Sequence, residues 1–338
     1  MMRAARLFRY DTPFEVVDMA VPRPEAGEVV VRVAACGICG SDRFLQKGGF
    51  ASVLPIVPGH EAAGTVEAVG AGVAGLAPGR KVAIYYIAHC GQCAYCRSGR
   101  ENICVGARRM GVDFDGALAE FVRVPAANCL PLPEDIDLAA AAVITDAVGT
   151  PTHALRQAGV RPGETVLVMG VGGIGSNAVQ IARLMGAEVI AAARSEASLR
   201  TARAIGAHHA LRADASLVAA VLDLTGGLGA DAVIQCAPGE AAFAAALPCL
   251  GRGGRLVIVG TSHRPVPVEF NQLLWKEQEI RGSRGFTRAD IRQGLDWYAE
   301  GRIRVDHLTA RQRPLAEINE AIADLDDPGV VRTVIAFT

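Results

Sequence analysis

Residues 165–176 read TVLVMGVGGIGS, and this stretch decides the architecture of half the chain. Thr165 to Met169 is a short, apolar, largely β-branched run of the kind that forms a strand buried on both faces. It ends at Gly170, and from Ile174 to Met185 the apolar residues take up helical spacing. Gly170, Gly172 and Gly175, with Gly173 and Ile174 between them, spell G-x-G-x-x-G. Placed between a strand and a helix, such a turn lets backbone N–H groups and the helix N-terminus receive a pyrophosphate. A glycine turn by itself can bind nothing; the strand–turn–helix setting is what makes this one a dinucleotide site.

Outward from the turn the alternation continues. Glu188 to Ala193 reads as a second strand, Glu196 to Ile205 and the region around Ala215 to Thr225 as helices, and Asp231 to Cys236 and Arg255 to Gly260 as further strands. Strands alternating with helices predict an α/β, doubly wound parallel sheet of the Rossmann type. The second strand ends on Ala193, where an acidic residue would bond the ribose 2′-hydroxyl of NAD, and Arg194 follows. Without that carboxylate a 2′-phosphate is not repelled, and Arg194 can pair with it, so NADP is the preferred cofactor and NAD the alternative. Otherwise Arg194 is a solvated surface residue. Ser195, Cys236 and Gly260, at strand ends, complete the candidate cofactor contacts. Residues 286–338 read as helix (Arg288 to Glu300, Glu317 to Leu325) closing on a strand, Val331 to Phe337.

The first 130 residues differ. Glu28 to Ala35, Gly64 to Val69 and Lys81 to Ile87 are short β-branched runs separated by turns such as Ala77-Pro78-Gly79, which predicts a partly open β-barrel. Beyond them Cys90, Cys93, Cys96 and Cys104 fall within fifteen positions. Four thiolates at such spacing can wrap one tetrahedral zinc in a closed, structural site, here a lobe over about 88–106. An iron–sulfur cluster also takes four Cys, and unligated thiols are the bland alternative. Upstream stand Cys36-Gly-Ile-Cys39-Gly-Ser41-Asp42 and Gly59-His60-Glu61. A thiolate and an imidazole are good zinc ligands, although a lone His-Glu pair is more often only polar structure.

Bulk properties narrow the function. The chain has 338 residues, 51% of them hydrophobic, and a net charge of −1, which fits about two domains and gives no footprint for nucleic acid. No run approaches the roughly 20 apolar residues of a membrane helix, and no apolar segment comes after the N-terminal arginines, so a cytoplasmic protein is expected. Nine cysteines there point to metal rather than disulfides.

CGICGSD, GHExxGxVxxxG, the four-Cys lobe and the dinucleotide turn, in that order, resemble the zinc-containing medium-chain dehydrogenase/reductase (alcohol dehydrogenase) superfamily over essentially the whole chain. The resemblance implies a GroES-like catalytic domain at 1–150, a Rossmann domain at 151–285 and a segment, 286–338, that returns to the catalytic domain. It implies Cys39 and His60 as ligands of a catalytic zinc, with Glu61 as a carboxylate able to enter the coordination shell. The third ligand would be Asp146, where other members carry Cys; the alternative is that Asp146 only caps a helix. The resemblance thus implies two zincs per chain. Ser41 matches the residue that takes the substrate hydroxyl proton, and Asp42 would orient a metal ligand from behind. Two departures stand out: Phe44 replaces a relay histidine, and Gly40 a cofactor-binding cation. The implied reaction moves a hydride between NAD(P) and an alcohol, ketone or aldehyde, across a cleft between the domains. Reduction of an activated C=C bond by the same machinery is the alternative, and an NADP-binding zinc protein without turnover is the non-enzymatic one. Phe44, Ile87, Phe114 and residues near Trp275 and Arg284 are expected to line the substrate pocket. A homodimer or homotetramer is expected, joined through Val257 to Thr261 and the segment C-terminal to it.

Overall fold

A computed structural model describes residues 1–262 and 264–337. The chain forms two compact units: Met1–Asp146 with Thr287–Ala299 and Arg304–Thr338, and Ala147–Phe286 with Glu300–Ile303. The expected boundary at 150 falls within the helix Gly149–Ala158, which belongs to the second unit.

The hub of the first unit is the strand Glu28–Gly37, whose Val29, Val31, Val33 and Cys36 enter the core. One edge pairs antiparallel with Glu61–Val69 along its length. The other edge is shared: residues 28–32 pair with Phe121–Pro125 and residues 35–37 with Thr333–Ala336. Register shifts near Val30 and near Val33 bend the strand, as bulges do, so one strand serves two partners in different directions. Lys81–Ile84 and Cys129–Pro131 extend the sheet beyond Glu61–Val69. This is the partly open, GroES-like β-structure expected. The run read as one strand, Lys81 to Ile87, is broken at Tyr85-Tyr86, and Ile87–Ala88 pairs instead with Arg108–Arg109 at the base of the four-Cys lobe.

The second unit holds a six-stranded, fully parallel sheet. In spatial order the strands are His209–Arg212, Glu188–Ala193, Thr165–Met169, Ala230–Gln235, Leu250–Ile258 and Glu279–Gly282. In chain order this is 3-2-1-4-5-6, the Rossmann arrangement. Val166, Leu167 and Val168 on the central strand are fully buried. The two outermost strands are the ones whose sequences, HALR and EIRG, do not announce a strand. An edge strand pairs on one side only and tolerates charge, so it lacks the apolar run that marks an interior strand. Val257, offered as an assembly contact, is wholly buried in an interior strand; the edges of the sheet are His209–Arg212 and Glu279–Gly282. No helix among the described residues is long and apolar enough to cross a membrane.

One ion pair braces the second unit. Arg255 reaches Glu164 with Nη1 at 3.1 Å and Nη2 at 2.6 Å, and its Nε donates to the Ala158 carbonyl at 2.9 Å. Partial burial works to raise the Glu164 carboxyl, but hydrogen bonds from Arg255 and the Arg161 backbone outweigh it and hold the pKa below the usual value. A depressed carboxyl stabilises the fold above its unfolded pKa and loses that contribution as pH falls. Arg255→Ala should therefore cost about 1–3 kcal/mol at neutral pH, with the gap to wild type closing in acid. Thermal unfolding at both pH values checks this; an unchanged gap would refute it.

Candidate functional site

Cys39 stands where the hub strand gives way to the helix Gly40–Gln46. Its backbone N–H donates to Asp42 Oδ2 at 2.9 Å, so Asp42 ties down the helix start and is itself only 2% exposed. The other carboxylate oxygen of Asp42 lies 3.4 Å from His60 Nδ1. A ring nitrogen facing a carboxylate carries the proton, which leaves Nε2 as the donor atom of His60. The Ser41 hydroxyl stands 3.1 Å from that Nε2.

Glu61 follows His60 in the strand paired with the hub, and Gly37 lies opposite it in register. A Cβ on Gly37 would strike Glu61 Oε2, so this corner admits the carboxylate only because residue 37 has no side chain. Glu61 Oε1 accepts from Arg332 Nη1, while Oε2 is buried without a hydrogen-bond partner among the described residues. Asp146 completes the group: its Oδ2 lies 3.6 Å from Cys39 Sγ and 4.0 Å from Arg332 Nη1. It sits inside a π-helical turn, Ile144–Val148, between two α-helical stretches, and does not cap a helix N-terminus. Such turns recur at functional sites because the inserted residue is re-aimed.

The donor atoms of Cys39, His60, Glu61 and Asp146 lie within 4.8 Å of one another, all four residues buried. The chemistry of the set fits zinc: one soft thiolate, one imidazole and two carboxylates. Its electrostatics fit too. Burial works against charge on His60, yet Asp42 and Cys39 outweigh it and hold the imidazole pKa well above the usual value, so the corner attracts positive charge.

The four-Cys lobe is the second metal candidate. Cys90 and Cys104 Sγ are 3.5 Å apart, Cys93 and Cys96 3.5 Å, and the pairs Cys90–Cys96 and Cys93–Cys104 3.9 Å. These are far beyond the about 2.05 Å of a disulfide. They match the about 3.8 Å that four sulfurs keep around one tetrahedral ion with bonds of about 2.3 Å. The space suits a single ion, not a multi-iron cluster. Backbone N–H groups of Cys93 and Cys96 point at the sulfurs of Cys90 and Cys93. Amide donors, first that of Cys96, pull the Cys93 thiol down, while burial and the neighbouring thiols push the Cys96 thiol up.

In the second unit Gly170, Gly172, Gly173, Ile174 and Gly175 form the turn and first helical positions of Gly173–Leu184, which no side chain caps. A Cβ on Gly175 would overlap the Gly170 carbonyl, so glycine is obligatory for the tight turn. Cys236 and Gly260 follow the C-terminal ends of neighbouring strands, where ligands of such sheets lie. Ala193 is buried, Arg194 exposed, and Ser195 caps the next helix by accepting from Ser198 N at 3.1 Å. Arg212 was not anticipated. It pairs in register with Ala193 and, with Arg203 and Arg200, acts on the Glu196 carboxyl. It belongs to the edge strand that the sequence pattern hides.

Comparison with known proteins agrees with this arrangement. Residues 25–134 match the alcohol dehydrogenase GroES-like domain, and residues 173–300 the zinc-binding dehydrogenase domain. An alcohol dehydrogenase of Geobacillus stearothermophilus is 34% identical over 329 residues, 96% of either chain. The chain belongs to the zinc-containing medium-chain dehydrogenase/reductase superfamily. Among solved structures, the alcohol dehydrogenase of the archaeon Aeropyrum pernix superposes with a TM-score of 0.94 at 32% identity, covering 99% of this chain and all of its own. A NAD-dependent alcohol dehydrogenase superposes at 0.92 with 33% identity over all of both chains. The chain is thus an oxidoreductase of a zinc-dependent family.

Of the expected pocket residues, Ile87 is fully buried in the core and Trp275 is 75% exposed. Tyr86, half-buried, stands beside His60 with ring centroids 5.6 Å apart. Arg332 was also missed, since a lone arginine near the C-terminus gives no signal until the fold brings it to Glu61. A metal assay should return about two zincs per chain, with Cys104→Ala and Cys39→Ala each removing one. A single zinc in the wild type would contradict one of the two sites.

Proposed function

We propose that this chain is a zinc-dependent alcohol dehydrogenase or carbonyl reductase that prefers NADP. The observation that carries the reading is the Ser41 hydroxyl 3.1 Å from His60 Nε2, inside a buried set of zinc-type donors. Cys39, His60 and Asp146 would hold the metal, with Glu61 in reserve through its unpaired Oε2. When bound, zinc would polarise the substrate oxygen, and the dinucleotide on the 170–175 turn would take or give the hydride.

The rest falls to the chain's own side chains. Asp42 orients His60 and fixes its tautomer. Ser41 holds the proton of the substrate hydroxyl at Oγ. Phe44 on the same helix cannot relay it, so the proton leaves the half-buried Ser41 through water. Arg332 keeps Glu61 Oε1 occupied, which decides which oxygen is offered to the metal. For the cofactor, the absence of an acid at Ala193 and the pair Arg194 and Arg212 suit a 2′-phosphate better than a free hydroxyl. The edge strand Glu279–Gly282 and the exposed Phe270, Leu274 and Trp275 beside it are the surface through which we infer self-assembly. A cytoplasmic location suits the enzyme.

NADPH oxidation with a panel of ketones, aldehydes and enones tests the activity; no turnover with any of them overturns it, and product analysis separates C=O from C=C reduction. Cys39→Ala should abolish turnover, and Ser41→Ala should lower kcat about 100-fold or more. Arg194→Ala with Arg212→Ala should raise KM for NADP about tenfold or more with little change for NAD. An unchanged ratio would remove the two arginines from the cofactor site.

A further inference from the structure

The side chains around Ser41 and His60 close into a ring of contacts. Ser41 stands 3.1 Å from His60, and His60 packs edge-on against Tyr86 with centroids 5.6 Å apart. The Tyr86 phenol lies within electrostatic reach of Arg109. The Arg109 guanidinium sits 4.8 Å over the Phe50 ring, and Phe50 packs edge-on against Phe44 at 4.8 Å. Phe44 returns to Ser41 along one helix. Ser41, Phe44, Phe50, Tyr86 and Arg109 are all half-buried, so each gives part of its surface to open space. Three aromatic rings suit an apolar substrate body; the cation needs another explanation.

Arg109 is only partly spent on its own fold. Its Nε and Nη2 donate to Asp113, each at 2.9 Å. Those two bonds use one edge of a guanidinium that has five N–H donors. Nη1 has no hydrogen-bond partner among the described residues, so the end-on fork of Nη1 and Nη2 stays open to a second, bidentate acceptor. Arg108 also acts on the Asp113 carboxylate, so Arg109 shares that carboxylate with a second guanidinium. Stacking on Phe50 holds the guanidinium plane in place, so little freedom is lost when it binds.

We propose that Arg109 is the specificity-determining residue of this site, and that the substrate is an alcohol or ketone bearing a carboxylate at the end remote from the reacting carbon. This rests on the function proposed above. The ring's order sets the roles: the reacting carbon at Ser41 and His60, the apolar body against Phe44, Phe50 and Tyr86, and the carboxylate on the free fork of Arg109.

The test compares straight-chain keto acids having two to four methylenes between ketone and carboxylate with the matching keto amides. Wild type, Arg109→Leu and Arg109→Lys are assayed with zinc and NADPH bound. The expected result is a kcat/KM for at least one acid about 10- to 100-fold above its amide, carried mostly by KM. Arg109→Leu should bring the kcat/KM of the acid down to that of the amide, and Arg109→Lys, which keeps charge but not the fork, should restore part of the difference. A wild type that treats acid and amide alike overturns the proposal. So does a parallel fall for both in Arg109→Leu, which would mean that Arg109 only braces Asp113. If no ketone is turned over, the proposed function fails, and calorimetric titration with hexanoate and hexanamide decides this point separately. Hexanoate binding that is lost in Arg109→Leu supports the anion site; equal binding to both proteins overturns it. Arg109→Lys guards against misfolding of the leucine variant.

Discussion

The first unit is organised around a corner of buried charge that cannot stand alone. Cys39, Asp42, Glu61 and Asp146 bring four acidic groups out of water, and among the described residues Arg332 is the guanidinium set against Glu61 and Asp146. Uncompensated buried charge is among the largest penalties a fold can carry. A divalent cation held by the thiolate, the imidazole and a carboxylate, as proposed above, would remove most of it. The local chain geometry serves that end: a helix start that Asp42 pins, a glycine opposite Glu61, and a π turn that aims Asp146 inward. None of these devices is the cheapest way to build a strand or a helix, and all of them converge on one point.

The nucleotide side obeys a different constraint, one of space and backbone rather than charge. The Gly170–Gly175 turn is so tight that a single Cβ at Gly175 would overlap a carbonyl. The helix behind it begins without a side-chain cap, leaving its N-terminal N–H groups for a phosphate. Beyond the turn, the ends of the neighbouring strands carry Ala193 and Arg212 side by side. The NADP preference proposed above rests on this buried alanine beside an exposed arginine.

How far the sequence reveals these features depends on whether their cause is local. The strands Thr165–Met169 and Glu188–Ala193 carry unbroken apolar runs, because both faces of an interior parallel strand are buried, and their limits can be read residue by residue. The edge strands His209–Arg212 and Glu279–Gly282 carry no such run, so Arg212 stays invisible to pattern. The four-Cys lobe declares itself by residue type and spacing, whereas Cys39, His60 and Glu61 stand out only through the family resemblance of the motifs that carry them. Asp146 declares itself only through its place after an alanine-rich stretch, since no spacing rule predicts a π turn. Tyr86 and Ile87 show the finest limit. Their run looks continuous, but the strand breaks at Tyr85-Tyr86, and a one-residue change of phase exchanges the side chain that is buried for the one beside His60.

Arg332 explains why the chain must come back. After Phe286 the polypeptide leaves the second unit and, apart from Glu300–Ile303, spends its remaining length in the first. Its last strand, Thr333–Ala336, pairs with residues 35–37 of the hub, setting Val334 opposite Gly37, while Gly37 lies opposite Glu61 on the other side. Three strands distant in sequence thus present a guanidinium, a glycine and a carboxylate at one corner. Register fixes the match: a slip of one residue would turn Arg332 away and leave Glu61 buried with neither oxygen satisfied. The returning segment is therefore part of the metal corner's electrostatics, and pairing between the two ends of the chain is a condition for the site to exist.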